Sequence, residues 1–211
     1  LTSKTNSTPP KNDSNFSFSI QDFSFHIQTI DPGPDATTGY YTSISAPSIA
    51  RIFILYSSLV SQFFNVANSS DGGQSWTIQT RDTYGLGDMS APDANNVYIA
   101  YSNSTNSRLV VTNSSNGGGN WTTQTILEQI WNPRIATPAV DTVFITYGNF
   151  TTNGVRLAKS TNHGASWTTG FVVVGNGTPQ STFKSLAINA PDTNTIYIAY
   201  GTSGLDLEIV N

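Results

Sequence analysis

The sequence predicts an all-β fold, a β-propeller of about four four-stranded blades. Three observations carry this: a repeat with fixed landmarks, strand-length runs inside each repeat, and no stretch of sustained helical periodicity. The landmarks are Pro47, Pro92, Pro138 and Pro191, followed nine residues later by Tyr56, Tyr101, Tyr147 and Tyr200. The triplets before the tyrosines match too: Phe53-Ile54-Leu55, Tyr98-Ile99-Ala100, Phe144-Ile145-Thr146 and Tyr197-Ile198-Ala199. Trp76, Trp121 and Trp167 follow the first three prolines at 29 residues. The period is about 45 residues, the length of one four-stranded blade.

Within the second unit, strands are expected near 87–91, 97–101, 108–112 and 121–126. Pro92-Asp93-Ala94-Asn95 turns the first into the second, and a glycine-rich turn separates the last two. Blades are expected at about 41–80, 84–126, 130–172 and 182–211. The fourth unit has strand-like runs at 185–189, 195–200 and 206–210, and Asn211 aligns just before the glycine-rich turn of the other units. Its outer strand is therefore expected from the opposite end of the chain. Ser24-Phe25-His26-Ile27-Gln28-Thr29 resembles Ser75-Trp76-Thr77-Ile78-Gln79-Thr80, so residues 23–30 would complete the fourth blade and close the ring. Closure removes an exposed sheet edge.

The glycine-rich turns read Ser69-Ser70-Asp71-Gly72-Gly73-Gln74-Ser75-Trp76, Ser114-Ser115-Asn116-Gly117-Gly118-Gly119-Asn120-Trp121 and Ser160-Thr161-Asn162-His163-Gly164-Ala165-Ser166-Trp167. They resemble the Asp-box, or BNR repeat, Ser-X-Asp-X-Gly-X-Thr-Trp, of sialidase-like propellers. The resemblance covers the chain from about residue 41 onward. The second and third copies carry Asn where the family has Asp. The resemblance implies a cap on the hairpin between third and fourth strands. Asp or Asn accepts backbone N–H bonds in the turn, Gly supplies positive φ, and Trp buries a large ring against its blade. Ser69, Asp71, Gly73 and Trp76, with Ser114, Asn116, Gly118 and Trp121 and with Ser160, Asn162, Gly164 and Trp167, are thus expected to be structural.

Composition limits the function. Charged residues make up only 10% of the chain and the net charge is -4, without a Lys/Arg cluster to track phosphates, so no nucleic-acid partner is expected. There is no cysteine, hence no disulfide and no thiol metal site. No apolar run reaches the roughly 18 residues of a membrane helix. The polar, Pro-containing start at Leu1 is what a processed mature protein would show. Asn-X-Ser/Thr sequons stand at Asn6, Asn12, Asn15, Asn68, Asn103, Asn113, Asn120, Asn149 and Asn176, with Pro9 disfavouring the first. Together these features favour an extracellular or cell-surface glycoprotein.

Catalytic signals are thin. The sialidase pattern needs six blades, an arginine triad, a Tyr–Glu nucleophile pair and an Asp acid/base. Here Arg51, Arg81, Arg108, Arg134 and Arg156 fall at differing repeat positions, and the only glutamates are Glu128 and Glu208. A glycosidase sets two carboxylates across the scissile bond, and the sequence offers no convincing pair. His26 and His163 are isolated. No enzyme, cofactor or metal site is expected. Aromatics Tyr40, Tyr41, Tyr84, Trp131 and Phe183 lie at the start of the first strand of each unit. They either pack between blades or stack on sugar rings at one mouth of the channel.

The expected function is a non-catalytic structural or adhesive subunit, with a carbohydrate-binding module second and a degenerate glycosidase relative third. Residues 1–15 form a polar arm, and 16–31 a closing or donor region. Phe16, Phe18 and Ile20 alternate with polar residues, ahead of Phe23, Phe25 and Ile27. This region either folds back on its own blade or adds a strand to a neighbouring copy, which would give a head-to-tail ring or filament.

Overall fold

The computed structural model describes residues 19–20, 23–24, 27–31, 38–58, 63–83, 87–103, 106–127, 129–152, 154–174, 183–202 and 207–210. Every regular element among them is a β-strand. β1 (Ser19–Ile20) and β2 (Phe23–Ser24) pair as a short hairpin. The first blade is β3 (Thr38–Ser45), β4 (Ile52–Ser58), β5 (Phe63–Ser69) and β6 (Thr77–Thr83). The second is β7 (Gly87–Ser90), β8 (Val97–Ser102), β9 (Leu109–Ser114) and β10 (Thr122–Leu127). The third is β11 (Ile130–Ala136), β12 (Val143–Asn149), β13 (Gly154–Ser160) and β14 (Thr168–Val174). The fourth holds β15 (Phe183–Asn189), β16 (Tyr197–Thr202) and β17 (Leu207–Val210). All pairings are antiparallel between consecutive strands. The protein is an all-β propeller of four blades, as the repeat predicts.

The proline turns explain the first hairpin of each blade. Proline presets φ, and in the second and fourth blades the aspartate after it accepts the backbone amides two and three residues on. Asp93 Oδ1 accepts from Asn95 N at 2.7 Å and Asn96 N at 2.8 Å. Asp192 repeats the pattern with Asn194 and Thr195.

Second strands are apolar on both sides because blades pack on both of their faces. In β8, Ile99 and Tyr101 meet Phe53, Leu55, Phe64 and Val66 of the first blade. Tyr98 and Ala100 meet Ile135, Val143, Ile145 and Tyr147 of the third. A third cluster joins Val155 to Leu186, Ile198 and Tyr200. Each interface removes several large side chains from water, at about 1.5–3 kcal/mol apiece. The first strands of successive blades pack against one another: β3 on β7, β7 on β11, β11 on β15.

The N-terminal region departs from expectation. β2 pairs with β1, and residues 27–31 are irregular rather than a strand of the fourth blade. No ladder to β17 is found among the described residues, where the fourth sheet has three strands. Residues 28–31 lie instead on the outward face of the first blade. Tyr56 donates to Asp31 Oδ2 at 2.7 Å, and Gln28 Oε1 accepts from Trp76 Nε1 at 3.4 Å. Phe16, Phe18 and Phe25 lie outside the described residues, while Ile20 and Phe23 sit in the hairpin.

Candidate functional site: the axial cavity

The first strands frame a cavity of about 450 Å³ at the propeller axis, to which all four blades contribute. Tyr41 and Thr42 come from β3, Gly87 and Asp88 from β7, Trp131, Asn132 and Arg134 from β11, and Ser185 from β15. The repeat explains this gathering. Tyr41, Asn132 and Ser185 each stand six residues before their repeat proline. Around this position β3, β11 and β15 all break register against their partners. Such bulges re-aim side chains, and they cost strain here, because Tyr41 (φ 47°) and Asn132 (φ 50°) adopt left-handed backbone.

Two aromatic residues flank the opening. Tyr41 is 44% exposed, unlike a core tyrosine. Trp131 is half-buried and lies opposite Gly148 on the neighbouring strand. A Cβ at Gly148 would collide with the indole, so the ring rests on bare backbone. This platform needs glycine for close approach.

The polar groups come from the position four before each proline: Ser43, Asp88, Arg134 and Ala187. Asp88 ties three blades together. Its Oδ1 accepts from Ser43 Oγ at 2.7 Å and from Met89 N at 2.9 Å, and its Oδ2 accepts from Ile135 N at 3.2 Å. Arg134 Nη1 donates to the Pro133 carbonyl at 3.0 Å, and the residue lines the cavity. Chemically the cavity offers stacking faces, a guanidinium and a carboxylate hydrogen-bonded from three blades.

Of the aromatics expected at the mouth, the structure brings Tyr41 and Trp131 together. Tyr84 lies outside the described residues, and Tyr40 and Phe183 are placed by backbone alone, in β3 and β15. Sequence reasoning misses Asp88 and Arg134. The signal is a single repeat column occupied by Ser, Asp, Arg and Ala, legible once the register is written out.

The glycine-rich turns do different work. Asp71 Oδ1 accepts from Ser69 Oγ at 2.8 Å and Ser75 N at 2.9 Å, and its Oδ2 accepts from Ser75 Oγ at 2.5 Å. The Ser75 and Ser69 hydrogen bonds hold the Asp71 carboxyl down at about 2. Asn116 and Asn162 accept the equivalent backbone amides, from Asn120 and Ser166. Gly73, Gly118 and Gly164 have positive φ, and their carbonyls accept from Trp76, Trp121 and Trp167 Nε1 at 3.0 Å. The three indoles are half-buried rather than fully buried, because one edge of each turn faces solvent.

Neighbouring blades grip these turns. Arg51 Nη2 and Asn68 Nδ2 of the first blade donate to the Gly117 carbonyl at 2.7 and 2.8 Å. Gln79 accepts from Trp121 Nε1 at 3.0 Å and donates to the Gly118 carbonyl at 2.9 Å. Gln124 donates to the Gly164 carbonyl at 3.0 Å. Gln28, Gln79 and Gln124 share one register position, three after Phe25, Trp76 and Trp121. The resemblance between residues 24–29 and 75–80 thus extends to a contact with the following blade.

Two sequons are built into the fold. Asn149 is buried, with Oδ1 accepting from Thr151 N and Thr152 N, and Asn68 commits the nitrogen a glycan would need. Asn120 is exposed, and Asn103 and Asn113 are half-buried. Asn12, Asn15 and Asn176 lie outside the described residues. No group of three metal-ligating side chains and no membrane-spanning helix occur among the described residues.

No family model and no curated protein matches the chain. Among solved structures it is similar to Hadza microbial sialidase Hz136, with a TM-score of 0.50 and 13% identity. The match covers 76% of this chain and 34% of that protein, about a third of its length. At this identity the likeness concerns the fold.

Proposed function

We propose that the chain is a non-catalytic glycan-binding propeller module of the extracellular space, with its ligand in the axial cavity. The observation that carries this is the pairing of Tyr41 and Trp131 with the Arg134 guanidinium around one 450 Å³ space. Aromatic faces stack on the apolar faces of sugar rings, and a guanidinium fork binds hydroxyls or a carboxylate. The volume suits a ligand of one or two rings.

Support for binding without turnover comes from Asp88. It is the one carboxylate lining the cavity among the described residues, and it is hydrogen-bonded by Ser43, Met89 and Ile135. General acid/base hydrolysis needs two carboxylates facing each other. The glycine-rich turns act in this reading as structural Asp-boxes. A glycan array probed with wild type and Trp131→Ala tests the proposal. Wild type is expected to retain defined saccharides and the variant to lose them. Equal retention by both would remove the cavity from consideration, and fluorogenic sialoside turnover would favour a glycosidase relative instead.

A further inference from the structure

The repeat makes blade faces comparable position by position, and among the described residues two faces are incompletely covered: residues 28–31 lie beside Tyr56 on the first blade, yet Ile44 on the same face stays exposed. Phe53, Tyr98 and Phe144, three residues before their repeat tyrosines, are 0%, 1% and 3% exposed. Tyr197 holds the same position in the fourth blade and is 41% exposed. Val66 and Val111, paired with the residue before the tyrosine, are 1% and 3% exposed, whereas Ile209 is 70% exposed. These positions face the next blade. Met89 and Ile135, three before their prolines, face the preceding blade and are 4% and 5% exposed. Ile44 holds that position in the first blade and is 67% exposed.

The two exposed patches are therefore complementary by the rule that joins every other pair of blades. One hydrogen bond shows the fit. Tyr98 donates to the carbonyl of Val140, two residues after the next blade's proline, at 2.7 Å. The corresponding partners are Tyr197 and the Ile49 carbonyl, and the Ile49 side chain is 97% exposed. The Gln28 contact to Trp76 points the same way. It places residues 28–31 where the outer strand of a preceding blade would lie, beside the first blade.

We propose that a second copy of this chain covers these faces, head to tail. The fourth blade of one copy packs on the first blade of the next. Tyr197 then donates to the partner's Ile49 carbonyl, and the segment at Gln28–Asp31 is brought beside β17 of its neighbour. The two patches differ, so the contact is heterologous and repeats into a ring or a filament. Nothing in this depends on the cavity's ligand.

Light scattering after size exclusion tests the assembly, using Ile44→Asp, Ile209→Asp and their equimolar mixture. Wild type is expected to form species that grow with concentration. Each variant is expected to be monomeric, with a melting temperature within about 2 °C of wild type diluted until it too is monomeric, since both side chains are exposed in the single chain. The mixture is expected to form a 1:1 dimer and stop, because each variant keeps one intact face. A wild type that stays monomeric at high concentration overturns the proposal. So do variants that melt several degrees below monomeric wild type, which indicate closure within one chain, and a mixture that forms no dimer, which indicates a symmetric contact.

Discussion

The second and fourth blades carry the same strand grammar, and they differ in what surrounds them. The second is packed on both faces, and its outer turn is held by Arg51, Asn68 and Gln79 from the first blade. Among the described residues the fourth packs on one face only. Tyr98 and Tyr197 share a repeat position, yet one is 1% and the other 41% exposed. A blade's sequence thus specifies its strands, while its stability comes largely from its neighbours. This is the nearest-neighbour energetics of repeat architectures.

Four substitutions sharpen the contrast. The largest effect is expected at the shared tyrosine position. Tyr98→Ala should destabilise by about 3–5 kcal/mol, as for truncating a buried aromatic, whereas Tyr197→Ala should cost under about 1 kcal/mol in dilute solution. Urea denaturation of both variants measures the pair. Similar losses would show that the fourth blade is as enclosed as the second. Next comes Trp121→Ala, at about 2–3 kcal/mol, because the ring is half-buried and its N–H serves two acceptors. Smaller again is Gln79→Ala, at about 1 kcal/mol, for one side chain joining two blades. A double variant of Gln79 and Trp121 should lose less than the sum, since they share a bond.

The smallest contrast is between the turns themselves. The Asp71 carboxyl sits at about 2 against its usual 3.8, held down by Ser75 and Ser69, whereas the second and third turns use Asn. A lowered folded-state value means that Asp71 contributes stability fully above about pH 4, and that this is lost as pH falls toward 2. Thermal melts of wild type and Asp71→Asn should therefore differ in slope over that window and run parallel above it. Identical slopes would show that the carboxylate is not held by the turn.

Much of this architecture is legible in the sequence because its markers are local. Proline, aspartate and glycine act within four or five residues, so each hairpin can be placed from its own turn. Two things are not legible. Ring geometry depends on the rotation between blades, which no local pattern encodes. The repeat places residues 23–30 as an outer strand of the blade before the first, and Gln28 makes the contact with Trp76 that such a strand makes, yet among the described residues β2 pairs with β1 and no ladder joins this segment to β17. The polar half of the cavity is also hidden. Asp88 and Arg134 lie 46 residues apart and meet only because equivalent strands converge on the axis. Tyr41 and Trp131 stand out because aromatics are conspicuous at strand starts.

The most direct test of the axial cavity is calorimetric titration of an array-selected saccharide into wild type and Trp131→Ala, with the sugar recovered and weighed by mass spectrometry. A non-catalytic glycan site predicts saturable binding by wild type, affinity at least about tenfold weaker in a variant that melts normally, and a sugar recovered intact. Equal affinity in both proteins, or a sugar returned with its glycosidic bond cleaved, would contradict it.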